Sequence, residues 1–128
     1  MAVDVADIST ALGTSLITYS PANATPAEDV MGGACTIHMI EIDNTANGTD
    51  VAYLKIINGD GTSNAGASNV GTDAPEYLFH CPAATKLTYT FPEGIAITSK
   101  LRMWCVNTAG TAGTVSPTSD VKVEVLVS

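Results

Sequence analysis

Four groups of residues in this 128-residue chain have types and spacings that could do chemistry. The first is the Gly-rich stretch Asn107–Thr118, NTAGTAGTVSPT, which has the small, polar texture of a loop that cradles a phosphate or a substrate. A phosphate loop needs a strand before its glycines and a helix after them, so that backbone amides and a helix N-terminus face the anion. Here Gly110 and Gly113 are followed by Pro117 and then by VKVEVLV, whose period is two, and no lysine stands where it would reach the phosphates. The pattern predicts the tip of a hairpin.

The second group pairs Cys35 with His38 and His80 with Cys81, which are metal-ligand types. Residues three apart on a strand point to opposite faces, so Cys35 and His38 cannot share an ion without a bulge; buried thiols and histidines on a sheet face are expected instead. The third is a hydrolytic set drawn from His38, His80, Cys81 and the many hydroxyls, but nothing resembles a nucleophile elbow and neither histidine is flanked in a way that marks it. The fourth is Asp43, Asp50, Asp60 and Asp73 in Gly/Asn-rich loops, of which NGDGTSN looks most like an oxygen-ligand loop. It lacks the spacing and closing Glu of an EF-hand, so solvated turn carboxylates are expected. No catalytic residue, cofactor or metal site is expected, and the chain reads as a non-enzyme.

The elements that would position these residues are almost all strands. Helix-like spacing occurs only near the start, where Val5, Ile8, Leu12 and Leu16 recur; Pro21 and Pro26 then punctuate an extended segment. Residues 1–33 are expected to form an N-terminal arm with one short helix or strand, and residues 34–128 a β-sandwich domain. The runs TIHMIEID and VAYLKIIN flank Asn47-Gly48, a hairpin signal. A three-residue loop Ala46–Gly48 would set Ile40 against Leu54 and Ile42 against Ala52, with Glu41 and Lys55 on the outer face. KLTYTF puts Leu87, Tyr89 and Phe91 on one face, and VKVEVLV does the same with Val121, Val123, Val125 and Val127. Residues 58–75 form a long loop of Gly, Asn and Ser. Trp104, the only tryptophan, is expected in the sandwich core. About seven short strands separated by turns argue for one antiparallel all-β sandwich, jelly-roll-like in its connections.

Composition bounds the partners. Hydrophobic residues make up 45% and charged residues only 14%, which excludes disorder and leaves a surface that resists contact weakly. The formal charge of −8, with five scattered Lys and Arg residues, repels nucleic acid and anionic membranes. No apolar run approaches the roughly 20 residues of a membrane span, and the acidic start does not read as a signal peptide. Three cysteines without tight spacing fit reduced thiols made in a cytoplasm.

Three segments carry a family resemblance: Val51-Ala52-Tyr53-Leu54-Lys55, Val70-Gly71-Thr72-Asp73-Ala74-Pro75 and Phe91-Pro92-Glu93-Gly94-Ile95. From Val51 to Val127 the chain resembles a type of small tailed-phage virion protein. The insertion GDGTSNAGASN and the pair His80-Cys81 depart from that pattern, and residues 1–33 lie outside it. The resemblance implies a non-enzymatic β-sandwich subunit of a phage particle, on capsid or tail.

Together with the negative charge, the sparse surface charge and the reduced cysteines, this leads to the expectation of a capsid decoration (cement) protein. It would be made in the host cytoplasm and bind, as a homo-oligomer, the outer surface of the major capsid protein lattice. Val3, Val5, Ile8, Leu12, Leu16 and Ile17 of the arm are the expected contact residues. A tail, neck or fibre subunit is the alternative within structural proteins, and a carbohydrate-binding attachment module the alternative from another class. Against the latter, residues 58–75 contain no aromatic platform.

Overall fold

The computed structural model describes residues 2–7, 15–59 and 68–128. Every regular element among them is a strand: β1 (Ala2–Asp7), β2 (Ser15–Ala22), β3 (Cys35–Asp43), β4 (Ala52–Asn58), β5 (Tyr77–Cys81), β6 (Lys86–Ile97), β7 (Leu101–Val106) and β8 (Val121–Val127). They form two antiparallel sheets, one of five strands in the order β1-β2-β8-β3-β6 and one of three in the order β5-β4-β7. The all-β class expected from periodicity is what the chain adopts.

Strand β8 shows why. Val121, Val123, Val125 and Val127 are fully buried while Lys122 is exposed, as the two-residue period of a half-buried strand requires. Ile17, Tyr19, Ile37, Ile40 and Ile42 of the larger sheet join Leu54, Ile56, Met103 and Cys105 of the smaller in one core between them. Along one side the sheets meet through aromatic rings. Phe79 of β5 lies 5.2 Å from Tyr89 and 5.6 Å from Phe91 of β6, tilted and edge-on as ring quadrupoles prefer.

Strand pairing departs from the expected hairpins. β3 pairs with β6 and β8, whereas β4 pairs with β5 and β7, so Asn44–Val51 is an arch between sheets. Ile40, Ile42, Ala52 and Leu54 are all buried in the shared core, so the inward parity was right and the ladder was not. Alternation fixes the face a residue takes, but a hairpin and an arch can use the same turn residues. For the same reason Asn107–Thr118 is not a hairpin tip: β7 and β8 belong to different sheets.

The first 33 residues supply strands of the larger sheet. β2 pairs with β8, and Ile17 and Tyr19 sit in the core at zero exposure. Asp4–Leu16, the one stretch with helix-like spacing and expected as a short helix or strand, is strand at both ends, with residues 8–14 outside the described part. The Tyr19 hydroxyl lies 2.9 and 2.7 Å from the carbonyl oxygens of Asn23 and Thr25, which ties the next segment to the core.

Where the chain crosses between sheets, two buried asparagines hold three connections together. Asn44 Nδ2 lies 2.8, 3.2 and 3.1 Å from the carbonyl oxygens of Asp50, Cys81 and Pro82. Asn47 Nδ2 donates to Asn44 Oδ1 (2.8 Å) and to the Ser119 carbonyl (2.9 Å), and its Oδ1 accepts from the Ser119 amide (2.6 Å). Removing such a side chain leaves buried groups unpaired, which costs about 1–3 kcal/mol for each. Asn47→Ala is therefore expected to lower unfolding stability by roughly 2–4 kcal/mol in urea denaturation, with Gly48→Ala as the neighbouring control changing it by about 0.5 kcal/mol or less.

Candidate functional site

Among the described residues, those that could do chemistry do not converge. Cys35 is buried on the inner face, while His38 lies at a bulge of β3 with Nε2 2.7 Å from Ser128 Oγ. His80 is exposed and Cys81 buried; the Cys81 thiol donates to the Thr85 carbonyl at 3.2 Å. Burial raises the Cys35 and Cys81 thiols above the usual range and pushes Cys105 up to about 12, the wrong direction for a nucleophile. Among the described residues, no three His, Cys, Asp or Glu side chains are grouped to hold a metal.

The loop aspartates serve the loops themselves. Asp43 Oδ1 accepts from the amide and hydroxyl of Thr45 at 3.1 and 2.6 Å, and Asp50 Oδ2 from those of Thr118 at 2.8 and 2.7 Å. These bonds favour the ionised forms and lower both carboxyl pKa values. Asp73 is buried, with Oδ2 accepting from the Asn69 amide at 2.9 Å. Asp60 lies outside the described residues.

The Gly-rich loop Asn107–Thr118 folds back over the outer face of the three-stranded sheet. Its Ser116 Oγ accepts from the Ala24 amide at 3.0 Å, and the Asn107 amide donates to Val115 at 2.9 Å. Gly71, at φ +90°, lies against it: a β-carbon there would come within 2.6 Å of Thr114 Cγ2. Beneath these loops Ile57, Trp104 and Val106 form a second cluster, packed by Ala24 and Val70. Trp104 is buried as expected, but outside the inter-sheet core. All six residues of β7 are buried, because loops cover the face that alternation would give to solvent. Arg102 pairs with Glu28 on this side.

Lys55 is also enclosed there, its Nζ donating to the Gly110 carbonyl at 2.6 Å. Burial holds its pKa below the ordinary lysine value of 10.5.

The outer face of the five-stranded sheet has a different character. At one end Lys86 pairs with Glu41 (3.4 Å), Lys122 pairs with Glu124 (3.3 Å), and Asp43 stands in register with both lysines. At the other end the cross-strand partners are apolar: Ala6, Leu16, Leu126 and Met39 follow one another across β1, β2, β8 and β3. Beside them β6 bulges, setting Phe91–Gly94 against His38 alone, with Gly94 at φ +75°. The bulge frames a depression of about 240 Å³ lined by His38, Met39, Thr90, Phe91, Pro92 and Leu126. Met39 and Leu126 were legible as apolar residues at outward positions whose neighbours on the same parity are charged.

Of the expected contact residues, Leu16 faces this apolar end. Val3 is half-buried against the core, Val5 is 40% exposed on the inner face, and Ile17 is a core residue turned away from solvent. Ile8 and Leu12 lie outside the described residues. Among those described, no helix is long and apolar enough to cross a membrane. Comparison of the chain with family models, curated proteins and solved structures returns no match.

The enclosed Lys55 generates a pH dependence. Protonation is disfavoured in the folded state but not in the unfolded chain, so wild-type stability climbs as pH rises through the folded-state pKa towards 10.5. The cover is a single loop, so the penalty is modest. Lys55→Met, which does not titrate, is expected to be more stable than wild type by roughly 1 kcal/mol near neutral pH and to lose that advantage towards pH 10.5, as read by urea denaturation across the range.

Proposed function

We propose that the chain is a non-enzymatic structural subunit of a phage particle, of the capsid decoration type, binding the outer surface of the major capsid lattice. The observation that carries this reading is the apolar end of the five-stranded sheet's outer face, where Met39, Leu126 and Pro92 line a depression and Leu16 stands in register with Leu126 beside it. Outer faces of antiparallel sheets are ordinarily polar, and a contiguous apolar band with a charged rim suits a protein contact. The phage-like segments Val51–Lys55, Val70–Pro75 and Phe91–Ile95 add family context, and two of them fall in β4 and at the β6 bulge.

Strand order supports a jelly-roll reading. β2-β8-β3-β6 faces β7-β4-β5, and the isolated bridge from Ala27 to Met103 stands where a further strand would extend the smaller sheet beside β7. β1 then adds to the larger sheet as an extra edge strand.

Labelling the protein in intact particles tests the assignment. Signal spread over the capsid face supports it, and signal confined to the tail overturns it. Met39→Glu is expected to keep the fold and to reduce retention on particles by about tenfold or more, measured as copies per purified particle.

A further inference from the structure

Among the described residues the two sheets present four outer edges, and three carry features that block pairing. The β7 edge is covered by the segment before β3: Ala27 and Met103 exchange backbone hydrogen bonds at 2.7 and 3.0 Å, and the Cys105 amide donates to Asn23 at 2.8 Å. The β6 edge is broken by the Phe91–Gly94 bulge, where Pro92 has no N–H to offer. β5 has five residues, with Pro75 shortly before it and Pro82 directly after it.

β1 has none of these devices. Its six residues run in unbroken register against β2, from Ala2 opposite Ser20 to Asp7 opposite Ser15, without proline, lysine or bulge. No described residue pairs with its outer edge. It also reaches past the cover of the smaller sheet: Val5 is 40% exposed on the inner face while Ile17, its partner in register, is fully buried. Such an edge is a template for another strand.

We infer that β1 pairs antiparallel with β1 of a second copy across a twofold axis at Val5, joining two five-stranded sheets into one. A twofold axis normal to the sheet sets residues of the same face opposite each other, so it must pass through a residue. An axis on Asp4 would oppose two aspartates, which is destabilising. An axis on Ala6 or on Val3 would pair only three of the six residues of β1 with the same strand of the other copy, against five for an axis on Val5. The axis on Val5 sets Val5 against Val5, Asp4 against Ala6 and Val3 against Asp7, which covers the exposed valine and opposes no like charges. This self-complementarity selects a second copy over an unrelated strand. Two six-residue edges bury less than the roughly 1,200–2,000 Å² of a stable interface, and a charge of −8 on each copy opposes contact. The dimer is therefore weak and strengthened by salt. It does not depend on the capsid assignment.

Cysteine cross-linking of the full chain tests the register. Directly opposed Cα atoms lie about 4.5–5.5 Å apart, within disulfide range, whereas Asp4 of one copy is offset by two residues from Asp4 of the other. The native cysteines Cys35, Cys81 and Cys105 are buried and should not compete. Val5→Cys is expected to give mostly covalent dimer on mild oxidation, and Asp4→Cys at most about a tenth of that yield. In sedimentation, wild type should gain mass with concentration and salt, while Val5→Lys stays monomeric. Equal cross-linking of the two variants, a wild type monomeric throughout, or a Val5→Lys protein that still dimerises would each overturn the inference.

Discussion

Two side-chain amides hold the end of the molecule where the chain repeatedly changes sheets. Asn44 spans the β3–β4 arch and the β5–β6 turn, and Asn47 extends the same network to Ser119, just before β8. An arch gives up the ladder hydrogen bonds a hairpin would make, and its backbone groups need other partners. The asparagines supply donors and acceptors in a space too enclosed for water to serve all of them. With the connections fixed, both sheets can set their apolar faces on one core.

That arrangement places the described chemistry-bearing residues in structural contacts. Asp43 holds its own turn, Asp50 ties the β3–β4 arch to Thr118, each thiol is buried, and the Gly-rich loop lies on a sheet with Gly110 taking the Lys55 ammonium. Small residues let that loop lie close over Trp104 and Val106, giving the three-stranded sheet a second hydrophobic layer. On the proposed reading the working surface is the opposite one: the outer face of the larger sheet, ionic at one end and apolar at the other, with β1 at its edge.

The class and the inward parity were legible in the sequence. The valines of β8 and the Leu87, Tyr89 and Phe91 face of β6 follow from alternation, since a residue's face is a local property. Partner choice is not local, so Asn47-Gly48 and NTAGTAGTVSPT looked like hairpin turns. Nor could alternation assign Trp104, because every residue of β7 is buried. The opening segment left helix and strand both open, because its apolar spacing fits a helix; at Ala2–Asp7 and Ser15–Ala22 pairing within the larger sheet selects strand. The site signal was present but faint. Leu126 and Met39 occupy outward positions shared with Lys122, Glu124 and Glu41, and only the register brings them together.

The central claim is that this chain works through the apolar end of its larger sheet and not through a reactive site. Hydroxyl-radical footprinting of the protein, free and on purified particles, tests it most directly, because side-chain oxidation reports which surfaces are covered. The account predicts that Met39 and Leu16, both part-exposed, lose reactivity on the particle while Val115, exposed on the opposite loop, keeps it. Protection of Val115 with Met39 and Leu16 unchanged would contradict it.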